Sequence, residues 1–142
     1  MDYKNKQEVI EIINKEKQNY NYLWVNTYSD LYLKDVSNED KKKTSFLNDE
    51  SLIEAKLFNE GNELSIVKTN KEDEFSVVKF NEKDYEGFVQ EEQVLNQYNL
   101  KDIISKLIIR HYFKYDEDGQ AYVAYTKLCE IKEEKQHEQK WQ

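Results

Sequence analysis

Leu107–Ile131 reads LIIRHYFKYDEDGQAYVAYTKLCEI and holds the only arginine of the chain and one of its two histidines. Apolar and aromatic residues alternate with polar ones on both sides of DEDG, which is the pattern of two strands joined by a turn. Glu117, Asp118 and Gly119 make a three-residue loop with Gly119 left-handed, and Asp116 faces Gln120. That register sets Phe113 against Val123, His111 against Tyr125, Ile109 against Lys127 and Leu107 against Cys129. One face, with Tyr115 and Ala121, is mostly apolar. The other carries Lys106, Ile108, Arg110, Tyr112 and Lys114 against Tyr122, Ala124, Thr126, Leu128 and Glu130, and is aromatic and basic.

Strand neighbours point to opposite faces, so Arg110 and His111 cannot act on one atom. The ordinary reading is a half-buried His111 on a backbone carbonyl and a surface Arg110 on a carboxylate. The functional alternative is a basic-aromatic strip of Lys106, Arg110, Tyr112, Lys114 and Tyr122, able to meet phosphate and a base or an acidic protein surface. Trp141, alone in the polar tail KEEKQHEQKWQ (132–142), reads equally as a group that docks back on the body and as a further candidate anchor for a partner.

Outward from the hairpin, Val9, Ile10, Ile12 and Ile13 sit at helical spacing near the N-terminus. YNYLWVN (20–26) alternates, with Tyr20, Tyr22 and Trp24 on one face and Leu23 and Val25 on the other. SDLYL (29–33) is its natural partner. Residues 34–45 are polar and read as a mobile loop. Residues 52–80 read as a three-stranded antiparallel meander, with Gly61 supplying a positive φ in its first turn. Residues 81–93 read as a loop around Gly87, and 93–107 as a second helix. The expected fold is α+β: an antiparallel sheet of about five to seven strands with one or two helices in a single globular domain, 1–142.

Composition narrows the chemistry. The chain has 142 residues, a net charge of −8 and 13% aromatic residues. The aromatics argue for a folded core. The acidity disfavours autonomous nucleic-acid binding and suits docking on a basic nucleic-acid-binding assembly. Cys129 is the only cysteine, so no internal disulfide forms, and with no secretion signal or apolar span in view the expected place is the cytoplasm, away from membranes. The dominance of lysine over arginine points to an AT-rich bacterial or phage genome.

Catalytic motifs are missing. Three glycines, at 61, 87 and 119, give neither a P-loop nor a dinucleotide fingerprint. Zinc would need His111, His137 and Cys129 to converge with carboxylates. A Cys129–His111 dyad is conceivable on the apolar face, but such pairs usually only pack. DEDG lacks the spacing of a calcium loop. No catalytic residue, metal or cofactor is expected, and the reading is that of a protein without enzymatic activity.

Tyr22-Leu23-Trp24, Leu57-Phe58, Ser65-Ile66 and Phe75-Ser76-Val77-Val78, together with the aromatic C-terminal YFKYDEDGQAYVAY, resemble a family of small accessory proteins of type III CRISPR systems. Trp24 continues as VNTYSD without the proline of that family. The resemblance implies a non-catalytic accessory or structural subunit of an RNA-guided antiviral effector, acting by protein–protein interaction. The residues leave two other classes open: a small acidic inhibitor or immunity protein, of bacterial or phage origin, that blocks a nucleic-acid enzyme, and a protein that binds a nucleotide second messenger.

Overall fold

The computed structural model describes residues 2–36, 44–100 and 103–134. The lysine run 41–43, His137 and Trp141 lie outside them. The chain divides into two compact units, Met1–Glu82 and Lys83–Gln142. The architecture is α+β with antiparallel sheets, as the sequence implies.

The first unit runs β1 (Asp2–Lys4), α1 (Lys6–Glu16), β2 (Tyr22–Thr27), β3 (Leu31–Asp35), β4 (Leu52–Phe58), β5 (Asn62–Lys68) and β6 (Phe75–Asn81). Its six strands are ordered β1-β6-β5-β4-β2-β3. α1 starts with a capping box. The Asn5 side chain accepts from the Glu8 N–H at 2.8 Å, and Glu8 accepts from the Asn5 N–H at 3.0 Å. The Asp73 carboxylate accepts the Lys6 N–H at 2.6 Å, placing negative charge at the positive end of the helix.

Val9 and Ile13 of α1 are buried in a core with two rows that cross the sheet. One row is Leu23, Leu57 and Leu64. The other is Val25, Ala55 and Ile66, with Val77 partly buried beside it. Full burial of each large apolar side chain contributes about 1.5–3 kcal/mol. Tyr20 belongs to this core, not to the Tyr22–Trp24 side expected for it. β2 begins only at Tyr22, so strand alternation does not reach back to residue 20. Val36, inside the segment read as a loop, is also core, and β3 extends to Asp35.

The turns use side chains where the sequence suggested backbone freedom. Gly61 is not at positive φ. The β4–β5 turn is held instead by the Asn59 side chain, which accepts from the N–H groups of Gly61 and Asn62 at 2.9 and 2.8 Å. In the β5–β6 turn Asp73 takes the left-handed conformation at φ 52, which aspartate tolerates better than most residues.

The second unit is a three-stranded sheet of β7 (Phe88–Leu100), β8 (Ile103–Tyr115) and β9 (Ala121–Glu134), in that order. The helix expected over 93–107 is not formed. Its apolar spacing fits a helix locally, but β8 is a central strand, paired with β7 between Ile103 and Phe113 and with β9 from Ile103 to Tyr115. Backbone groups that a helix would satisfy internally are satisfied across two ladders, and the β-branched run Ile103, Ile104, Ile108, Ile109 suits that conformation. β7 likewise begins inside the segment read as a loop, and β9 runs three residues into the segment read as a charged tail.

The β8–β9 turn forms as the sequence dictates. Asp116 N–H donates to the Gln120 carbonyl at 2.9 Å, and Gly119 is left-handed at φ 78. Tyr115, Lys114 and Phe113 face Ala121, Tyr122 and Val123 in the expected register. A bulge then shifts the register by one residue, leaving Ala124 without a partner across the ladder. Tyr112 faces Tyr125, His111 faces Thr126, Arg110 faces Lys127 and Ile108 faces Cys129. Tyr125, Lys127 and Cys129 therefore lie on the Arg110 face, opposite to the expected assignment. Among the described residues no helix is long and apolar enough to cross a membrane.

Candidate functional site

β8 places Lys106, Arg110, Tyr112 and Lys114 on one face by simple alternation, and Tyr122 stands across from Lys114. The strip is not a continuous surface. Tyr112 is fully buried, Lys106 is half-buried, and only Lys114 and Tyr122 are exposed. Trp141 lies outside the described residues.

Arg110 is bonded to a carboxylate, as its ordinary reading required. Its Nη2 donates to Glu91 Oε1 at 2.8 Å, from the residue directly opposite on β7. Partial burial alone would lower the guanidinium pKa. The hydrogen bond to Glu91, and the proximity of Tyr112 and Cys129, reverse this and raise it above its ordinary value. Arg110 is thus a fixed positive charge throughout the physiological range.

Tyr85 and Gly87 complete this face; the sequence pointed to Gly87 only as the centre of a loop and gave Tyr85 no role. The Tyr85 ring meets Tyr112 edge-on at 4.9 Å, Lys114 Nζ lies 5.7 Å from its centre, and its hydroxyl donates to the Phe113 carbonyl. Burial, and then the proximity of Tyr122, raise the Tyr85 phenol pKa. Gly87 adopts φ 145, and a Cβ there would collide with the Phe113 carbonyl oxygen and the Tyr85 ring. The available signal was the glycine itself, one of three in the chain, two residues after a tyrosine.

His111 is on the other face. Its Nδ1 lies 3.0 Å from Thr126 Oγ1, and its Nε2 meets Glu92. The partners are thus a hydroxyl and a carboxylate where a backbone carbonyl was expected. The register shift at Ala124 puts Cys129 on the opposite face, which removes the Cys129–His111 dyad. Cys129 is buried, and the Nζ of fully buried Lys127 lies 3.6 Å from its sulfur.

The His111 face also carries an aromatic cluster at the turn end of the sheet. Phe88 and Phe113 stack at 4.7 Å with planes 2° apart, and Tyr115 packs on Phe88 at 5.5 Å. Tyr115 is 64% exposed and Val123 47% exposed. The acidic turn borders this cluster. There Asp116 Oδ1 accepts the N–H groups of Asp118 and Gln120, which is a turn cap.

The first unit offers an open groove of about 470 Å³ over Leu47 and Phe75, rimmed by Lys6, Lys68, Asp49, Glu50, Glu72 and Asp73. Both ammonium groups have internal partners: Lys6 bonds Asn48 Oδ1 at 3.0 Å, and Lys68 bonds the Thr69 carbonyl at 2.9 Å. Among the described residues no three His, Cys, Asp or Glu side chains are grouped to hold a metal. Compared with protein-family models and with curated proteins, the chain matches none.

Proposed function

We propose that this protein is a non-catalytic accessory subunit of a type III CRISPR RNA-guided effector and acts by docking on another protein. The observation that carries the docking reading is the Phe88–Phe113 stack with exposed Tyr115 and Val123 beside it. Rigid aromatic groups that are already ordered and remain accessible are typical anchors of protein interfaces. The adjoining Asp116, Glu117 and Asp118, in a chain of net charge −8, favour a partner with a basic rim. The absence of chemistry in this reading is supported by the engagement of Arg110 and His111 with Glu91 and Glu92 on opposite faces.

The CRISPR assignment draws on the resemblance of Tyr22–Trp24, Leu57-Phe58, Ser65-Ile66 and Phe75–Val78 to that family. These segments fall on β2, β4, β5 and β6, consecutive neighbours in one sheet. The test is co-purification of tagged protein from its host with its genomic neighbours expressed. The expected result is retention of an RNA-guided complex by the wild type and loss of at least tenfold in Tyr115→Glu. A tagged chain that emerges alone would overturn the proposal. The charge of −8 also favours a second reading, a mimic that inhibits a nucleic-acid enzyme. Inhibition that weakens steeply with salt would select it.

A further inference from the structure

The outer edge of β9 is unlike the other strand edges. Ala121, Tyr122, Val123 and Ala124 are all exposed, and no charge occurs from Ala121 through Thr126. Among the described residues β9 has β8 on one side and no strand on the other. Edge strands normally carry charges, bulges or proline that discourage pairing with a further strand. β7 carries Glu91 and Glu92, β3 carries Lys34 and Asp35, and β1 is only three residues long, whereas Ala121–Thr126 carries a bulge but no charge.

We infer that this edge pairs with the same edge of a second copy, forming an antiparallel two-fold dimer through Ala121–Thr126. The bulge makes the segment self-complementary. In a regular strand, residues three apart point to opposite faces. The extra residue at Ala124 instead puts Tyr122 and Tyr125 on one face, since they stand opposite Lys114 and Tyr112 of β8. A two-fold axis perpendicular to the sheet preserves faces. It sets Tyr122 against Tyr125 of the second copy, Ala121 against Thr126, and Val123 against Ala124. Every pair is uncharged, and the tyrosine pairs supply aromatic cross-strand contacts. The interface is isologous, so it closes at two subunits.

Light scattering and sedimentation over a range of protein concentration test this. The wild-type mass should rise from 17.2 kDa to twice that value. Ala124→Pro should remain monomeric, because Ala124 has no residue opposite it on β8 and proline is poorly accommodated in a strand paired on its outer side. Tyr122→Lys, at an exposed position, should weaken the dimer at least tenfold and provides a second reading if Ala124→Pro perturbs the fold, as circular dichroism would reveal. A wild-type mass that stays at 17.2 kDa at every concentration overturns the inference, as does a dimer that both folded variants leave intact.

Discussion

Glu91 and Arg110 stand directly opposite each other on β7 and β8, and their side chains close to 2.8 Å. The pair joins an exposed carboxylate to a partly buried guanidinium. Its coupling, measured by a double-mutant cycle of Glu91→Ala and Arg110→Ala in chemical denaturation, should be about 0.5–1 kcal/mol, at the upper end for partly exposed pairs. Arg110→Ala alone should cost more than Glu91→Ala, because it also opens packing against Tyr112.

Lys56 and Glu63 form a more deeply buried pair. Lys56 donates to Glu63 at 3.0 Å, with Ser65 Oγ at 3.4 Å, and the Glu63 side chain is 0% exposed. Lys56→Met should destabilise the protein by about 3 kcal/mol, since it leaves a buried carboxylate without its ammonium. Lys56→Met combined with Glu63→Leu should recover most of that loss. A double variant as unstable as the single one would show that the pair stabilises the fold beyond charge neutralisation.

Burial first, and then the charges of Glu16 and Glu63, push the Tyr20 phenol up to about 12 from its ordinary 10.0. The folded state therefore holds this proton more tightly than the unfolded chain. Its contribution to stability is complete below pH 10 and is lost as pH rises from 10 towards about 12. Tyr20→Phe should show a shallower fall in Tm across that window than the wild type. Equal slopes would mean that Tyr20 ionises without penalty in the folded protein.

Gly87 is required by its surroundings. Its φ of 145 and the close Phe113 carbonyl leave no room for a Cβ. Gly87→Ala should cost at least about 2 kcal/mol in thermal or denaturant unfolding. Gly61→Ala, where nothing lies within 4 Å and φ is not positive, should change stability by less than about 0.5 kcal/mol.

Local chemistry was enough for several elements. Val9 and Ile13 at helical spacing, the alternation through Leu23–Val25, and DEDG with its left-handed glycine each specify their own geometry within a few residues. Residues 93–107 show the limit of that reasoning. Their apolar spacing fits a helix, and only pairing of β8 on both sides makes them extended. The candidate strip was legible as one side of β8, but the burial of its central tyrosine was not, because Tyr85 reaches it from a different segment.

The sequence by itself determined the class of fold, the β8–β9 turn and the separation of Arg110 from His111, since all three follow from alternation and turn residues close in the chain. Tertiary structure alone decided the register beyond Ala124, the partners Glu91 and Glu92, and the close fit of Gly87 under Tyr85. These depend on where distant strands meet, and a one-residue bulge moves every later side chain to the other face without leaving a mark in local periodicity.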